Sequence, residues 1–141
     1  MIRFIRNLTF VEWLVIGIVP VILGNLAVDA VDAIHAHMAN QQGAAEAQRD
    51  IAAGDFNFRI GGRPPSWFDE TATVFRDRYG ANLVRTFRCC SSRADRSYDS
   101  AYNDTMVATI AQRIASFSFG DAYDAANNEG RKRMENRLGG P

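Results

Sequence analysis

The residues best suited to redox or covalent chemistry are two adjacent cysteines. Cys89 and Cys90 are the only cysteines in the chain. Neighbouring Cα atoms lie about 3.8 Å apart, whereas the two Cα atoms of a disulfide usually lie about 4.4–6.8 Å apart. A bond between these two thiols would therefore be strained. Three states stay open: two ordinary small thiols, a disulfide to a partner chain, and a strained vicinal disulfide. None of them implies catalysis.

The histidines and glycines do not complete a site either. His35 and His37 are two residues apart, so on a helix they point to different faces and cannot form a two-ligand metal site by themselves. Gly61 and Gly62 precede Arg63, but no Gly-Lys-Ser/Thr follows and no parallel strand is predicted before them, so a loop is favoured over a phosphate-binding site. Only scattered Asp and Ser remain. We predict a protein that is not an enzyme and holds no cofactor or metal.

The charges argue against nucleic acid as a partner. Sixteen basic residues balance sixteen acidic ones in a chain of 141 residues. Such a chain has no net field to attract a polyanion, and no basic stripe interleaved with aromatic residues is present. We therefore predict that the chain does not bind nucleic acid.

An apolar run near the N-terminus has the length of a membrane span. Residues 8–28 contain a single ionisable group, Glu12. As a helix with a rise of about 1.5 Å per residue, this run covers about 30 Å, which is one bilayer core. Trp13 stands near its start, as an interfacial aromatic residue would. The sequence predicts a transmembrane helix over residues 8–28.

The flanking charges predict the orientation of this span. Arg3 and Arg6 precede it, whereas Asp29 and Asp32 follow it and no basic residue occurs before Arg49. By the positive-inside rule the N-terminus is cytoplasmic, and the C-terminal domain lies on the opposite, periplasmic or extracellular side. The small residues that follow the apolar run also fit a cleaved signal peptide, which stays an alternative.

Four residues give the span features that a simple tether does not need. Gly17 and Gly24 are seven apart, so they share nearly one face and allow a second helix to approach closely. Pro20 removes one backbone hydrogen bond and predicts a kink. Glu12 is an ionisable group at membrane depth, where it has a partner subunit or, near the helix N-terminus, reaches the headgroup layer. We predict helix packing and assembly through Glu12, Trp13, Gly17 and Gly24.

The start of the span resembles a known family. Leu8-Thr9-Phe10-Val11-Glu12-Trp13-Leu14-Val15-Ile16 is similar to the start of type IV pilin-like subunits, and Val11-Glu12-Trp13 followed by Pro20 is more similar to TadE-type pseudopilins. The resemblance implies that a short leader is removed before Leu8, that Glu12 neutralises a neighbouring subunit's new amino terminus, and that the helices bundle into a fibre. Asn7 stands before that cut, where the family has Gly, and Pro20 stands later than in TadE-type chains.

Beyond the span, the pattern predicts a mainly α fold. Leu26, Ala30, Ile34 and Met38 recur every four residues, which extends the helix through residues 29–54 to a terminator at Gly54. A break in this extension is possible near Gly43. The chain is thus divided into a basic cytoplasmic N-terminus (1–7), the transmembrane helix (8–28), a helical extension (29–54) and a small, mostly helical soluble domain (55–141).

Within residues 55–141 we predict at most a short β segment and three helices. Residues 56–60 alternate like a strand, whereas residues 83–90 fit a strand and a helix equally well. Ser66 is the predicted cap of one helix that ends at Gly80, and residues 91–97 are a predicted loop. An amphipathic helix follows, ended by Gly120, whose core-facing stripe is Tyr98, Tyr102, Met106, Ile110, Ile114 and Phe117. Asp121 is the predicted cap of a last helix that reaches about Leu138.

These features favour a non-catalytic, single-pass membrane protein. It would act as a structural or accessory subunit of a larger membrane-associated assembly, through packing of its N-terminal helix against other subunits or copies of itself. A pilin-like, TadE-like subunit of a pilus or secretion fibre is one alternative. A membrane-tethered binding domain is the other.

Overall fold

The computed structural model describes the backbone of residues 10–86 and 91–139, and the side chains of that part from Val15 onward. As predicted, the described chain is mainly helical, with four helices and a short two-stranded sheet. The elements follow in the order α1 (Phe10–Ala53), β1 (Asn57–Gly61), α2 (Phe68–Tyr79), β2 (Asn82–Thr86), α3 (Arg93–Ala111) and α4 (Phe119–Arg137). The chain divides into two compact units, Met1–His35 and Ala36–Pro141.

Helix α1 is continuous from Phe10 to Ala53, with Pro20 inside it. The possible break near Gly43 does not occur. Gly43 is buried there, and a small residue is needed because the backbone of Tyr98 lies against it. The helix ends where predicted, at Gly54, whose φ of 85° is a conformation that glycine adopts without strain.

The two strands form a parallel pair that begins with Asn57 opposite Asn82 and ends with Gly61 opposite Thr86. Of the two structures that residues 83–90 allowed, the described part is therefore a strand. The expectation that no parallel strand precedes Gly61 and Gly62 is wrong, because the parallel strand β1 ends at the first of these glycines and the second follows it directly. The partner of β1 lies beyond α2 in the chain, so local sequence does not reveal the pairing.

The core of the second unit is built on Phe58 of β1, which is fully buried. Its ring stacks on Phe119 with centroids 4.4 Å apart and meets Phe75 of α2 edge-on at 5.6 Å. Tyr102, Met106 and Ile110 of the predicted α3 stripe are buried, and Ile114 and Phe117 pack against the same core. The prediction that this stripe faces a core is confirmed for these five residues, whereas Tyr98 is half-buried and donates to Glu46.

Two helix starts differ from the prediction. Ser66 does not cap α2; Trp67 occupies the cap position without a side-chain hydrogen bond. The reason is a turn in which the Phe68 N–H donates to the Pro65 carbonyl at 3.1 Å, so the helix begins later. The loop predicted for residues 91–97 is wrong from Arg93 onward, because Ser92 and Asp95 form a capping box that starts α3 there.

The junction of α3 and α4 also lies earlier than predicted. Helix α3 ends at Ala111 rather than near Gly120. A turn follows in which the N–H groups of Arg113 and Ile114 both donate to the Ile110 carbonyl at 2.8 Å. Helix α4 then begins at Phe119, with Ser118 as its cap. Asp121 is therefore not the cap. It lies in the first turn of the helix, where a negatively charged carboxylate interacts favourably with the helix dipole.

Candidate functional site

The first candidate site is the apolar surface of α1 between Val15 and Val28. Its large apolar side chains are all exposed, from 42 % for Val19 to 61 % for Val21. They occur on every side of the helix, and none of this stretch is covered by the rest of the described chain. By length and composition, α1 is the one helix in the described residues that could cross a membrane.

The predicted packing face lies on this surface. No atom lies within 4 Å of the place that a Cβ would take at Gly17 or at Gly24. The seven-residue spacing puts both glycines on nearly one side of α1, so that side is open to a second helix. The other predicted assembly side chains, Glu12 and Trp13, and the two thiols, Cys89 and Cys90, lie outside the residues whose side chains the structure describes.

The second candidate is a polar group in the Ala36–Pro141 unit that we call the Arg59 cluster: Glu46, Asp50, Arg59, Tyr98, Asp99, Tyr102 and Asn103. The Arg59 Nη2 lies 2.8 Å from Glu46 Oε1, and its Nη1 lies 3.9 Å from Asp99 Oδ1. The guanidinium carbon also lies 4.4 Å from the Tyr102 ring centroid and 4.8 Å from that of Tyr98. One cation thus contacts two carboxylates and two aromatic rings.

The two tyrosines of the cluster donate to carboxylates on α1. Tyr98 donates its hydroxyl to Glu46, and Tyr102 donates its hydroxyl to Asp50. Burial, together with the Glu46 hydrogen bond, raises the pKa of Tyr98 to about 12. Burial and the Asp50 hydrogen bond raise the pKa of Tyr102 as well. Both hydroxyls therefore stay protonated and act as donors at neutral pH.

Asn103 completes the cluster by binding the backbone of β1. The Arg59 N–H donates to Asn103 Oδ1 at 2.8 Å, and Asn103 Nδ2 donates to the Arg59 carbonyl at 2.9 Å. The side chain thus takes the place of a neighbouring strand at this edge. The cluster connects β1, α3 and the C-terminal end of α1 through hydrogen bonds and ion pairs, and its polar groups bind one another in these contacts.

The Arg59 cluster did not emerge from the sequence. A partial signal existed, because Glu46 and Asp50 are four apart on one helix, and so are Tyr98 and Tyr102 on another. Side chains four apart lie on the same helix face, which allows two matched pairs across an interface. Nothing local indicates that the two helices face each other or that Arg59 lies between them.

Tyr102→Phe should lower the free energy of unfolding at neutral pH by about 1–3 kcal/mol, because it leaves the Asp50 carboxylate without a buried donor. The loss should shrink above pH 10.0, where an unfolded tyrosine ionises before the folded one, so the wild type loses stability as the pH rises through that range. Urea unfolding of the full chain in mild detergent, repeated from pH 7 to about 11, measures both effects.

Tyr79→Phe is the matched control. Tyr79 packs on Phe75 with centroids 5.0 Å apart, and its hydroxyl makes no hydrogen bond with another described residue. Its replacement should change stability little. Equal effects of the two substitutions at neutral pH would contradict the assigned role of the Tyr102 hydroxyl.

A cavity of about 290 Å³ lies at the carboxyl ends of the two strands, lined by Gly61, Thr86, Ser91, Arg96 and Asp99. This is where parallel sheets commonly bind ligands. Here the lining groups bind one another: Arg96 Nη1 donates to the Ser91 carbonyl at 2.6 Å, and the Thr86 hydroxyl donates to Asp99 at 3.4 Å. In the part of the chain that the structure describes, no three His, Cys, Asp or Glu side chains are placed to hold a metal ion.

Comparisons of this chain with protein-family models, with curated proteins and with solved structures find no match.

Proposed function

We propose that this chain is a non-catalytic, single-pass membrane protein that acts as a structural or accessory subunit of a larger membrane assembly. The observation that carries the proposal is the exposed apolar surface of α1 from Val15 to Val28. Removing one large apolar side chain from water is worth about 1.5–3 kcal/mol. An α-helix that is apolar all round, and that the described rest of its chain leaves exposed, needs a bilayer or other subunits around it.

The charges next to this surface supply the orientation. Arg3 and Arg6 precede the span, and Asp29 and Asp32 follow it. A cytoplasmic N-terminus places residues 36–141 on the periplasmic or extracellular side. Within that unit, the charged groups of the Arg59 cluster bind one another, which supports a structural role for them over a catalytic one.

The assembly role rests on the open face at Gly17 and Gly24. Glycine lets two helix backbones approach closely, and in lipid such close packing is a main source of helix association. The partners would be other membrane subunits or copies of this chain. Glu12 would also need a partner, because an ionisable group in the hydrocarbon layer is costly without one.

The double substitution Gly17→Leu and Gly24→Leu tests this role. Added side chains would hold the neighbouring helix away, so proteins that co-purify with the chain in mild detergent should be lost. The chain itself should stay in the membrane fraction, since leucine is at least as apolar as glycine. Val15→Leu with Ile22→Leu, also seven residues apart but on the opposite side of α1, should leave the partners in place. Partners retained by both double variants would favour the membrane-tethered binding domain.

The pilin-like alternative rests on the sequence of residues 8–16 and on the unbroken course of α1 from Phe10 to Ala53. The intact mass of the chain extracted from membranes distinguishes it. Loss of Met1 to Asn7 supports processing of the pilin type, whereas a full-length mass contradicts it. A cut near Ala30 or Ala33 would instead indicate a signal peptide and would contradict the anchor itself.

A further inference from the structure

The apolar surface of α1 ends at different heights on different sides of the helix. Leu23, Ala27, Ala30 and Ile34 follow one another at intervals of three or four residues, so they share one side, which we call the apolar strip. All four are exposed, Leu23 at 60 % and Ile34 at 58 %. The strip continues about 9 Å beyond Val28, at a rise of about 1.5 Å per residue.

The opposite side of α1 becomes polar earlier. Asn25, Asp29 and Asp32 are also three or four residues apart, so they share a side as well, and all three are exposed. At about 100° per residue, this polar side lies about 160° around the helix axis from the apolar strip. Its first carboxylate, Asp29, comes five residues before Ile34, which ends the strip within the Met1–His35 unit.

We propose that the membrane-spanning part of α1 crosses the bilayer obliquely, so that the apolar strip contacts lipid as far as Ile34 whereas Asp29 and Asp32 already meet water. The inference rests on the proposed membrane anchor and assigns it a longer lipid-facing surface on one side. Asp29 and Ile34 lie about 7.5 Å apart along a helix about 10–12 Å wide, so a boundary that passes through both tilts the helix by about 35°. Membrane helices tilt by about 0–40°.

Lipid, rather than a partner protein, is the occupant that fits the apolar strip. The strip starts at Leu23, in a stretch whose large apolar side chains are exposed on every side of the helix. Lipid surrounds such a stretch, whereas one partner helix covers a single side of it. The proposed partner helix would lie against Gly17 and Gly24, about 100° around the axis from the strip, so it leaves the strip to lipid.

The limits of the apolar surface also fit a flat boundary. A plane that cuts a helix at an angle meets one side early, the opposite side late, and the sides between them at intermediate heights. On a side between the polar side and the apolar strip, Val31 is apolar and the next residue in line is His35. That side thus becomes polar later than the side of Asp29, as a slanted boundary requires.

The length of the apolar stretch agrees with this oblique course. If the helix axis leaves the hydrocarbon core midway between Asp29 and Ile34, the stretch from the predicted start at Leu8 is about 36 Å long. An upright helix of this length exceeds a core of about 30 Å. A tilt of about 35° reduces its extent across the bilayer to about 30 Å.

Single-cysteine labelling of residues 28–35 tests the oblique course. Each cysteine is introduced into the full chain with Cys89→Ser and Cys90→Ser, labelled with a small fluorophore, and reconstituted in phosphatidylcholine vesicles. Quenching by a nitroxide on the lipid acyl chains is then measured for each label. It should be strongest at positions 30 and 34 and several-fold weaker at positions 29 and 32, in a pattern that repeats with the helix turn.

The decisive comparison is between Asp32→Cys and Ile34→Cys. An upright helix places position 34 about 3 Å farther out of the bilayer than position 32, so quenching would be weaker at 34. The oblique course reverses this order. Because Asp32→Cys also removes a charge, the matched control is Ile34→Cys with Asp32→Asn, which should keep the strong quenching.

Two further labels set the limits of the scale. Ile22→Cys, in the stretch that is apolar on every side, marks full lipid contact, and Asp77→Cys, exposed on α2, marks water. A steady decline from position 28 to position 35 would overturn the proposal. A label at position 34 that is shielded from water but not quenched by the lipid nitroxide would also overturn it, because a protein would then cover the strip. Both outcomes leave strong quenching at Ile22→Cys, whereas its loss would contradict the membrane anchor itself.

Discussion

Gly43→Ala should lower the free energy of unfolding of the Ala36–Pro141 unit by about 1–3 kcal/mol or more. A Cβ at this position would overlap the Tyr98 carbonyl oxygen and would lie 3.0 Å from its carbonyl carbon and 3.2 Å from its Cα. These are backbone atoms in the first turns of α3, so no side-chain rotation can relieve the clash. Helix α3 would have to move away from α1.

Such a movement would also strain the Arg59 cluster. Glu46 lies one turn after Gly43 on α1 and accepts the hydroxyl of Tyr98, the same residue whose backbone would be displaced. The added methyl group thus acts on the packing and on a hydrogen bond at once. Because the two effects share one interface, we expect a larger loss than from Tyr102→Phe alone.

Urea unfolding of the full chain in mild detergent, followed by circular dichroism, measures this loss. Gly24→Ala is the control on the same helix, since no atom lies within 4 Å of its added Cβ. It should leave the unfolding of the Ala36–Pro141 unit unchanged. A Gly43→Ala chain as stable as the wild type would show that α1 and α3 are not packed as closely as described.

Features fixed by local periodicity were predictable. The end of α1 at Gly54 and the buried stripe of α3 follow from residues that are neighbours in sequence. Helix starts were less predictable, because several residues near each start could serve as a cap. The capping box that begins with Ser92 was not predicted, because the residue at its N3 position is Asp95, where the usual pattern has Glu or Gln.

Features made by distant segments were not predictable. The pairing of β1 with β2 requires α2 to fold between them, and the Arg59 cluster draws on α1, β1 and α3. A short run such as Asn82–Thr86 carries too little periodicity to separate strand from helix by itself. Tertiary context decides such segments, and a single sequence does not display it.

Gly43 shows that the helix propensity of a single residue can predict a helix break that does not occur. Glycine weakens an isolated helix by about 1 kcal/mol relative to alanine, so a glycine after three polar residues suggests a break. In the folded unit the same glycine is buried, and its lack of a side chain lets α3 approach. The packing gained by close approach outweighs the weak local preference. Gly130 is a second glycine that is buried inside a helix, α4.

Gly130→Ala should be the second strongly destabilising substitution, with a loss of about 1–3 kcal/mol or more. A Cβ at Gly130 would lie 2.6 Å from the backbone nitrogen of Thr71 and 2.9 Å from its Cα, both on α2. Thr71 is fully buried, and its hydroxyl donates to the Trp67 carbonyl at 3.1 Å, so it cannot move away from an added methyl group. Helices α2 and α4 would have to separate.

The fluorescence of Trp67 measures this separation of α2 and α4. Its indole Nε1 donates to Asn127 Oδ1 on α4 at 2.8 Å, so moving α4 should expose the ring and shift its fluorescence to longer wavelength. A Trp13→Phe background removes the only other tryptophan.

Gly120→Ala makes the same change on the same helix, but its Cβ would meet nothing closer than the Ser118 Oγ at 4.0 Å. That control should keep the native emission and lose no stability, because alanine at an unobstructed helical position restricts the unfolded chain. The contrast between the two alanines therefore isolates the close approach of α2 and α4 from helix propensity, and equal behaviour would contradict that close approach.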